Sequence, residues 1–140
     1  MAYVDTRLFP PCHIDESSLT YVVMGARYKG EWIFVRHAHR ETWEMPAGHI
    51  EQGESADRAA IRELYEEAGV IRSNIAHICD YSVTVNGKTE YGRLYGVTVE
   101  ELDLKLEHEI EEIQFTRQLP QALTYPEVQT LLFERAKQHF

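Results

Sequence analysis

The stretch SADRAAIRELYEEA, residues 55–68, constrains the fold of this chain more than any other. Ala56, Ala59, Ala60, Leu64 and Ala68 recur at helical spacing and make one apolar stripe. Ser55 suits the N-cap, and Gly69 suits the left-handed position that closes a helix. Because the stripe is mostly alanine, the helix is predicted to lie close against its neighbour and to hold its opposite side still. That side carries Glu63, Glu66 and Glu67 at i, i+3 and i+4, which crowds three carboxylates together. No lysine stands among them, although Arg62 is adjacent. Acidic runs are ordinarily solvated surface. Here the missing lysines and the close-packed stripe favour a different reading, a set of hard oxygen donors for Mg²⁺ or Mn²⁺.

The flanking segments predict what the helix packs on. Residues 18–24 (SLTYVVM) are rich in β-branched and aromatic side chains and read as a strand. A turn at Lys29-Gly30 joins them to a second strand over 31–36, and 43–45 is a short strand closed by Pro46. Beyond the helix, two long strands over about 78–85 and 90–99 flank Asn86-Gly87, a strong hairpin signal. A short strand follows at 113–116, and 128–138 reads as a closing helix with Val128, Leu131, Leu132 and Ala136 inward. The first dozen residues, with Pro10 and Pro11 adjacent, read as an irregular lead-in. No repeat or linker divides the sequence, and 140 residues suffice for one core. The expectation is a single α/β (α+β) domain over 1–140, an α/β/α sandwich around a mixed β-sheet.

Residues 48–70 read GHIEQGESADRAAIRELYEEAGV. Gly48, Glu54, Arg62-Glu63-Leu64, Glu66-Glu67 and Gly69-Val70 match the whole pattern G-x5-E-x7-R-E-U-x-E-E-x-G-U without insertion or deletion. With each fixed residue at roughly one in fifteen, chance agreement at a given start is about one in a hundred million. The chain therefore resembles the Nudix hydrolases, and the flanking hairpins and last helix fit that fold over most of its length.

The resemblance implies an enzyme that hydrolyses pyrophosphate bonds in nucleotides with a divalent cation, Mg²⁺ or alternatively Mn²⁺. It implies metal ligation by Glu63, Glu66 and Glu67, with Glu63 or Glu67 accepting the proton of the attacking water. The carbonyl of Ala47, just before the first motif glycine, is a further ligand by the same resemblance. Arg62 resembles the arginine that holds the catalytic glutamates, with Glu54 as its partner. An ordinary pair of Arg62 with Glu66 is compatible with that role. Such enzymes often recruit an acid from outside the motif, and Glu109 and Glu112 in EHEIEEIQF are the candidates. The plain alternative for that run is an exposed acidic loop.

Residues outside the motif choose the substrate. The Pro46-Ala47-Gly48 variant is common in ADP-ribose pyrophosphatases, but the proline these usually carry downstream is replaced by Val85. Diadenosine tetraphosphate hydrolases tend to have a tyrosine there, which is also absent. The stretch EWIFVRHAHRETWEMP looks more like MutT-type triphosphatases that act on oxidised purine nucleotides such as 8-oxo-dGTP. Those enzymes read the base with an asparagine ahead of the last helix. This chain departs from them with Ala122-Leu123-Thr124-Tyr125, so Thr124 and Tyr125, together with Gly48, are its substrate-binding candidates. The expected substrate is a nucleoside triphosphate, with ADP-ribose as the alternative; a module that binds nucleotide without turnover is the reading from another class. His37, His39 and His49 are candidates for phosphate contact, against the usual exposure of loop histidines. Tyr21, Trp32, Trp43, Tyr81, Tyr91 and Tyr95 are expected mainly in the core or on the sheet, with one or two available to stack on a base.

A net charge of -9 argues against binding nucleic acid polymers but allows a small nucleotide whose charge is neutralised locally. Cys12 and Cys79 form no ligand cluster and read as reduced thiols of a cytoplasmic protein. No signal peptide and no membrane-spanning run are legible.

Overall fold

The structure is a computed structural model and describes residues 4–104 and 110–140. Its seven strands are β1 (Val4–Phe9), β2 (Tyr21–Tyr28), β3 (Glu31–His37), β4 (Ala47–His49), β5 (Val70–Val85), β6 (Lys88–Leu102) and β7 (Ile110–Thr116). The two helices are α1 (Ala56–Ala68) and α2 (Pro126–His139). One mixed sheet runs β1-β5-β6-β2-β3-β7, with β4 added to β2. Only β2 and β6 run parallel among these pairs. Helix α1 covers one face, over Val22, Met24, Ile33 and Val35, and α2 covers the other, over Val23, Phe34 and Leu94. This is the expected α/β/α sandwich.

Helix α1 forms where its caps demand. Ser55 accepts from the Arg58 amide at 3.1 Å, a contact worth about 1 kcal/mol. Gly69 ends the helix in the left-handed region at φ 66°, and a Cβ there would strike the Asp103 carbonyl. All five stripe residues are buried. The β5–β6 hairpin turns at Asn86-Gly87 with φ of 52° and 80°, the paired left-handed geometry that suits strand twist.

Several boundaries depart from expectation, each for a reason. The lead-in is partly a strand: β1 pairs antiparallel with β5 from Val4↔Val85 to Phe9↔Asp80, a partner far away in sequence. Residues 16–18 form a 3-10 turn, with the Asp15 side chain accepting from the Ser17 amide, so β2 starts only at Tyr21. The strand β5 begins at Val70, well before 78, because pairing with β6 satisfies its backbone whatever its side chains are. At 43–45 there are only isolated bridges, Glu44 with Val35 and Trp43 with Leu123. The strand itself, β4, follows Pro46.

That last difference shapes the site. Strand β3 pairs with β2 only at Arg27↔Trp32 and Tyr28↔Glu31. At the start of β2, β4 takes the vacated edge, from Tyr21↔His49 to Val23↔Ala47. The sheet therefore splits, and Ala47–His49 is carried to the glutamate side of α1.

Candidate active site

The split brings the motif's two halves together. Gly48 on β4 faces Glu63 on α1 so closely that a Cβ at 48 would overlap the Glu63 carboxyl group. One residue earlier, the Ala47 amide donates to Glu67 Oε1 at 2.9 Å. Glu67 is only 3 % exposed, although its spacing placed it with the outward carboxylates. A buried carboxylate needs partners. Besides Ala47 it has His37, whose Nε2 stands 3.2 Å from Glu67 Oε2 and 3.2 Å from Glu44 Oε1.

Arg62 ties the other carboxylates. Its Nε and Nη2 donate to Glu54 at 2.7 and 3.0 Å, a two-pronged pair. Nη2 also donates to the His49 carbonyl at 2.9 Å, and Nη1 reaches Glu63 at 2.8 Å and Glu66 at 3.1 Å. The expected i,i+4 pair is thus one branch of a larger fork that joins the loop to the helix. The Glu54 contact, above all, raises Arg62 further above its ordinary range, and the same hydrogen bond lowers Glu54.

The remaining carboxylates are crowded. Burial, and next the charge of Glu67, push Glu63 up to about 7 despite its Arg62 contact. Burial likewise raises Glu44, against the opposing pull of His37. His37 is raised in turn, chiefly by its hydrogen bond to Glu67.

The other predicted residues fall in different places. Glu112 lies on β7 with its carboxylate 3.3 Å from Arg36 Nε, and strand alternation puts Arg36 with Phe34 on the α2 face, away from Glu63 and Glu67. Glu109 lies outside the described residues. Thr124 is buried, its amide donating to the Trp43 carbonyl at 2.9 Å and its hydroxyl 2.5 Å from that of Thr42. Tyr125 is 63 % exposed, in the left-handed region at φ 49°, with the Arg40 guanidinium 5.7 Å from its ring. The His49 ring lies tilted against Tyr21 with centroids 4.6 Å apart, while His39 is exposed at a left-handed position. Trp32, Tyr81 and Tyr95 are buried, as expected of core aromatics.

Sequence reasoning missed Glu44 altogether and treated His37 as one loop histidine among three. Strand period offered a signal for His37, because Ile33 and Val35 face α1 and position 37 continues the alternation. Nothing local marks Glu44, which gains its meaning only from the bridge to Val35.

Glu63, Glu66, Glu67 and the Ala47 carbonyl are the oxygen donors that hard divalent cations prefer. Burial first, and then the charge of Glu67, raise Glu63, and a cation beside it would favour its ionised form against both. Among the described residues no three acidic, histidine or cysteine side chains are already gathered as a metal cage. Arg62 and His37 pair with the carboxylates instead, so a cation would compete with them for the same oxygens. The donor set fits such a cation in kind.

The fold and this site define a sandwich domain in which one helix and one short strand together present an arginine and a group of glutamates. Residues 17–135 match the NUDIX domain family, and the chain belongs to it. It is similar to the putative 8-oxo-dGTP diphosphatase YtkD of Bacillus subtilis, with 29% identity over 59% of this chain and 51% of that protein. An RNA pyrophosphohydrolase of a Shewanella species shares 39% identity over 41% of this chain and 32% of that protein. The chain thus spans about half or less of the length of these curated relatives. The fold matches the crystal structure of the Bacillus subtilis pyrophosphohydrolase BsRppH with a TM-score of 0.81 and 22% identity, covering 96% of this chain and 90% of that one.

Proposed function

We propose that the protein is a Mg²⁺-dependent pyrophosphohydrolase of nucleoside triphosphates, with Mn²⁺ as a substitute and an oxidised purine nucleotide such as 8-oxo-dGTP as the favoured substrate. The observation that carries this reading is the convergence of Ala47, Gly48, Glu63 and Glu67 across the split sheet. Glu63, Glu66, Glu67 and the Ala47 carbonyl would hold the cation, which when bound screens the phosphates and lowers the pKa of water. Arg62 anchors the helix to the 49–54 loop, so the carboxylates need little reorganisation. Glu67 has both oxygens engaged, by Ala47 and His37, and serves as a fixed ligand. Glu63 is the better proton acceptor for the attacking water. Tyr125, with Arg40 beside its ring, would offer the base an aromatic face, and Thr124 would hold that segment through its bond to Trp43.

The products are a nucleoside monophosphate and pyrophosphate, with water attacking the β-phosphorus in line. The resemblance to an 8-oxo-dGTP diphosphatase supports the substrate, and the acidic surface disfavours a polymer. We place the protein in the cytoplasm, in keeping with two unpaired thiols.

A substrate panel with Mg²⁺ tests the reading: 8-oxo-dGTP, ordinary nucleoside triphosphates, ADP-ribose, dinucleoside polyphosphates and a 5′-triphosphate RNA oligomer. The highest kcat/KM is expected for an oxidised purine triphosphate. A tenfold preference for ADP-ribose would move the protein to that class, and a preference for the oligomer would make it a polymer-end enzyme. Binding without turnover would return it to the nucleotide-sensing module. Reaction in heavy-oxygen water is expected to put the label in pyrophosphate. Label in the monophosphate means α-attack, and orthophosphate as the first product overturns both routes.

A further inference from the structure

A second set of chemically active side chains lies at the other end of α1. Cys12 Sγ is 3.0 Å from His77 Nδ1, and His77 Nε2 is 2.8 Å from Asp57 Oδ1. Tyr95 donates its hydroxyl to the same Asp57 oxygen at 2.6 Å. Thiol, imidazole and carboxylate stand in line, each ring nitrogen of His77 facing one partner. None of the four residues has a role in the carboxylate site.

The order of the groups determines what they can do. Burial raises the Asp57 carboxyl, but hydrogen bonds from Tyr95 and His77 outweigh it and hold Asp57 below its ordinary range. Asp57 is therefore an anion that accepts the N–H of His77 Nε2. That leaves Nδ1 as the acceptor facing the thiol. A nucleophile, a base beside it and a third group orienting the base are the requirements for an activated thiol. A β-bulge helps: the register shifts between His77 and Cys79, so Ile78 and Cys79 both face α2 while His77 meets Asp57 on α1.

The loop that carries the thiol is fastened. The Ile14 amide donates to Asp80 Oδ2 at 2.8 Å, and Arg93 Nη2 donates to the Ile14 carbonyl at 3.3 Å. Asp80 and Arg93 are themselves a buried pair at 2.7 Å. The His13 amide closes onto the Pro10 carbonyl at 3.2 Å, and the His13 ring stacks on Phe9. Within this loop Cys12 takes a left-handed conformation, φ 57°, which non-glycine residues seldom adopt. Its side chain is exposed, whereas Cys79 is buried and its thiol is pushed up to about 11 by that burial. The two cysteines are opposites.

We propose that Cys12 is a modification site: a thiol nucleophile, served by His77 and oriented through Asp57, that takes up a low-molecular-weight disulfide. The thiol proton passes to His77 Nδ1, and the sulfur attacks one sulfur of R–S–S–R. The S–S bond of the reagent breaks as the Cys12–S–S–R bond forms. The leaving thiolate collects the proton from His77 and departs as R–SH, so one thiol and one disulfide stand on each side of the exchange. The assignment does not depend on which nucleotide the carboxylate site hydrolyses.

The test uses the full chain, with oxidised glutathione as the disulfide and iodoacetamide as a second probe of the thiol. At pH 7, native Cys12 is expected to react about fivefold or more faster than the same cysteine in the urea-unfolded chain, as read by peptide mass spectrometry. His77→Gln and Asp57→Asn should bring the rate down to the unfolded value while the circular dichroism spectrum is retained. Cys12→Ser should abolish glutathionyl uptake and leave the melting temperature unchanged. A native rate at or below the unfolded one, uptake at Cys79, or a rate unchanged in His77→Gln overturns the proposal. In that event the line of hydrogen bonds only ties the loop to α1. The native-against-unfolded comparison needs no variant and decides the matter even if one of them does not fold.

Discussion

A Cβ at position 48 would lie inside the Glu63 carboxyl group, so the absence of a side chain on β4 is what lets this α1 carboxylate occupy its place. Gly48→Ala is expected to drive Glu63 off Arg62 and to cost about 1–3 kcal/mol in stability through overpacking. Turnover should fall further than stability does. Urea unfolding and steady-state kinetics on the same preparation check this, and near-normal kcat would mean that the Glu63 position is not needed.

Glu67 is held by the Ala47 amide and by His37. Glu67→Gln keeps an oxygen for the amide and nearly the same volume, so the fold should survive while turnover falls by orders of magnitude. His37→Ala, which loses the contacts with Glu44 and Glu67, should lower activity or metal affinity by about 10–100-fold. Mn²⁺ titration followed by electron paramagnetic resonance separates the two effects. Unchanged Mn²⁺ affinity in Glu67→Gln would exclude it as a ligand.

Arg62 joins Glu54, Glu63, Glu66 and the His49 carbonyl through one planar fork. Lysine retains the charge but cannot reproduce that geometry. Arg62→Lys is expected to destabilise the metal-free protein by about 2 kcal/mol, the scale of a hydrogen bond to a charged group. Denaturant midpoints in EDTA measure it, and a change within experimental error would reduce the fork to a surface feature.

Without metal, Glu63 titrates near 7, raised by burial and then by Glu67. A carboxyl whose folded pKa lies above its unfolded value stabilises fully when both states are protonated. That contribution is lost as pH rises from about the unfolded value of 4.5 through 7. The denaturant midpoint in EDTA should therefore carry a falling component between about pH 4.5 and 7, which Glu63→Gln removes. Equal pH slopes in the two proteins would show that Glu63 is not raised.

Much of this protein was legible because local physics settled it. The helix over 55–68 declares itself through Ser55, the alanine stripe and Gly69, all of which act within a few turns of chain. Asn86-Gly87 declares its hairpin in the same way, by a turn geometry few other pairs accept. The motif spacing named the family, and Arg62 and Glu54, eight residues apart across a cap, meet as expected. These features depend on neighbours in sequence, which a linear reading can see.

The tertiary structure decided whatever required distant partners. Spacing grouped Glu63, Glu66 and Glu67 as equals, but packing under β4 buried Glu67 and left Glu66 partly in solvent. The split of β3 from β2 brought His37 and Glu44 to Glu67, and no periodicity encodes a split. Strand β1 formed because the edge of β5 offered it hydrogen bonds, despite the two prolines that follow. Cys12 and His77, 65 residues apart, met for the same reason. A backbone pairs wherever unsatisfied donors and acceptors are brought within reach, and that reach is set by the whole sheet rather than by any segment of it.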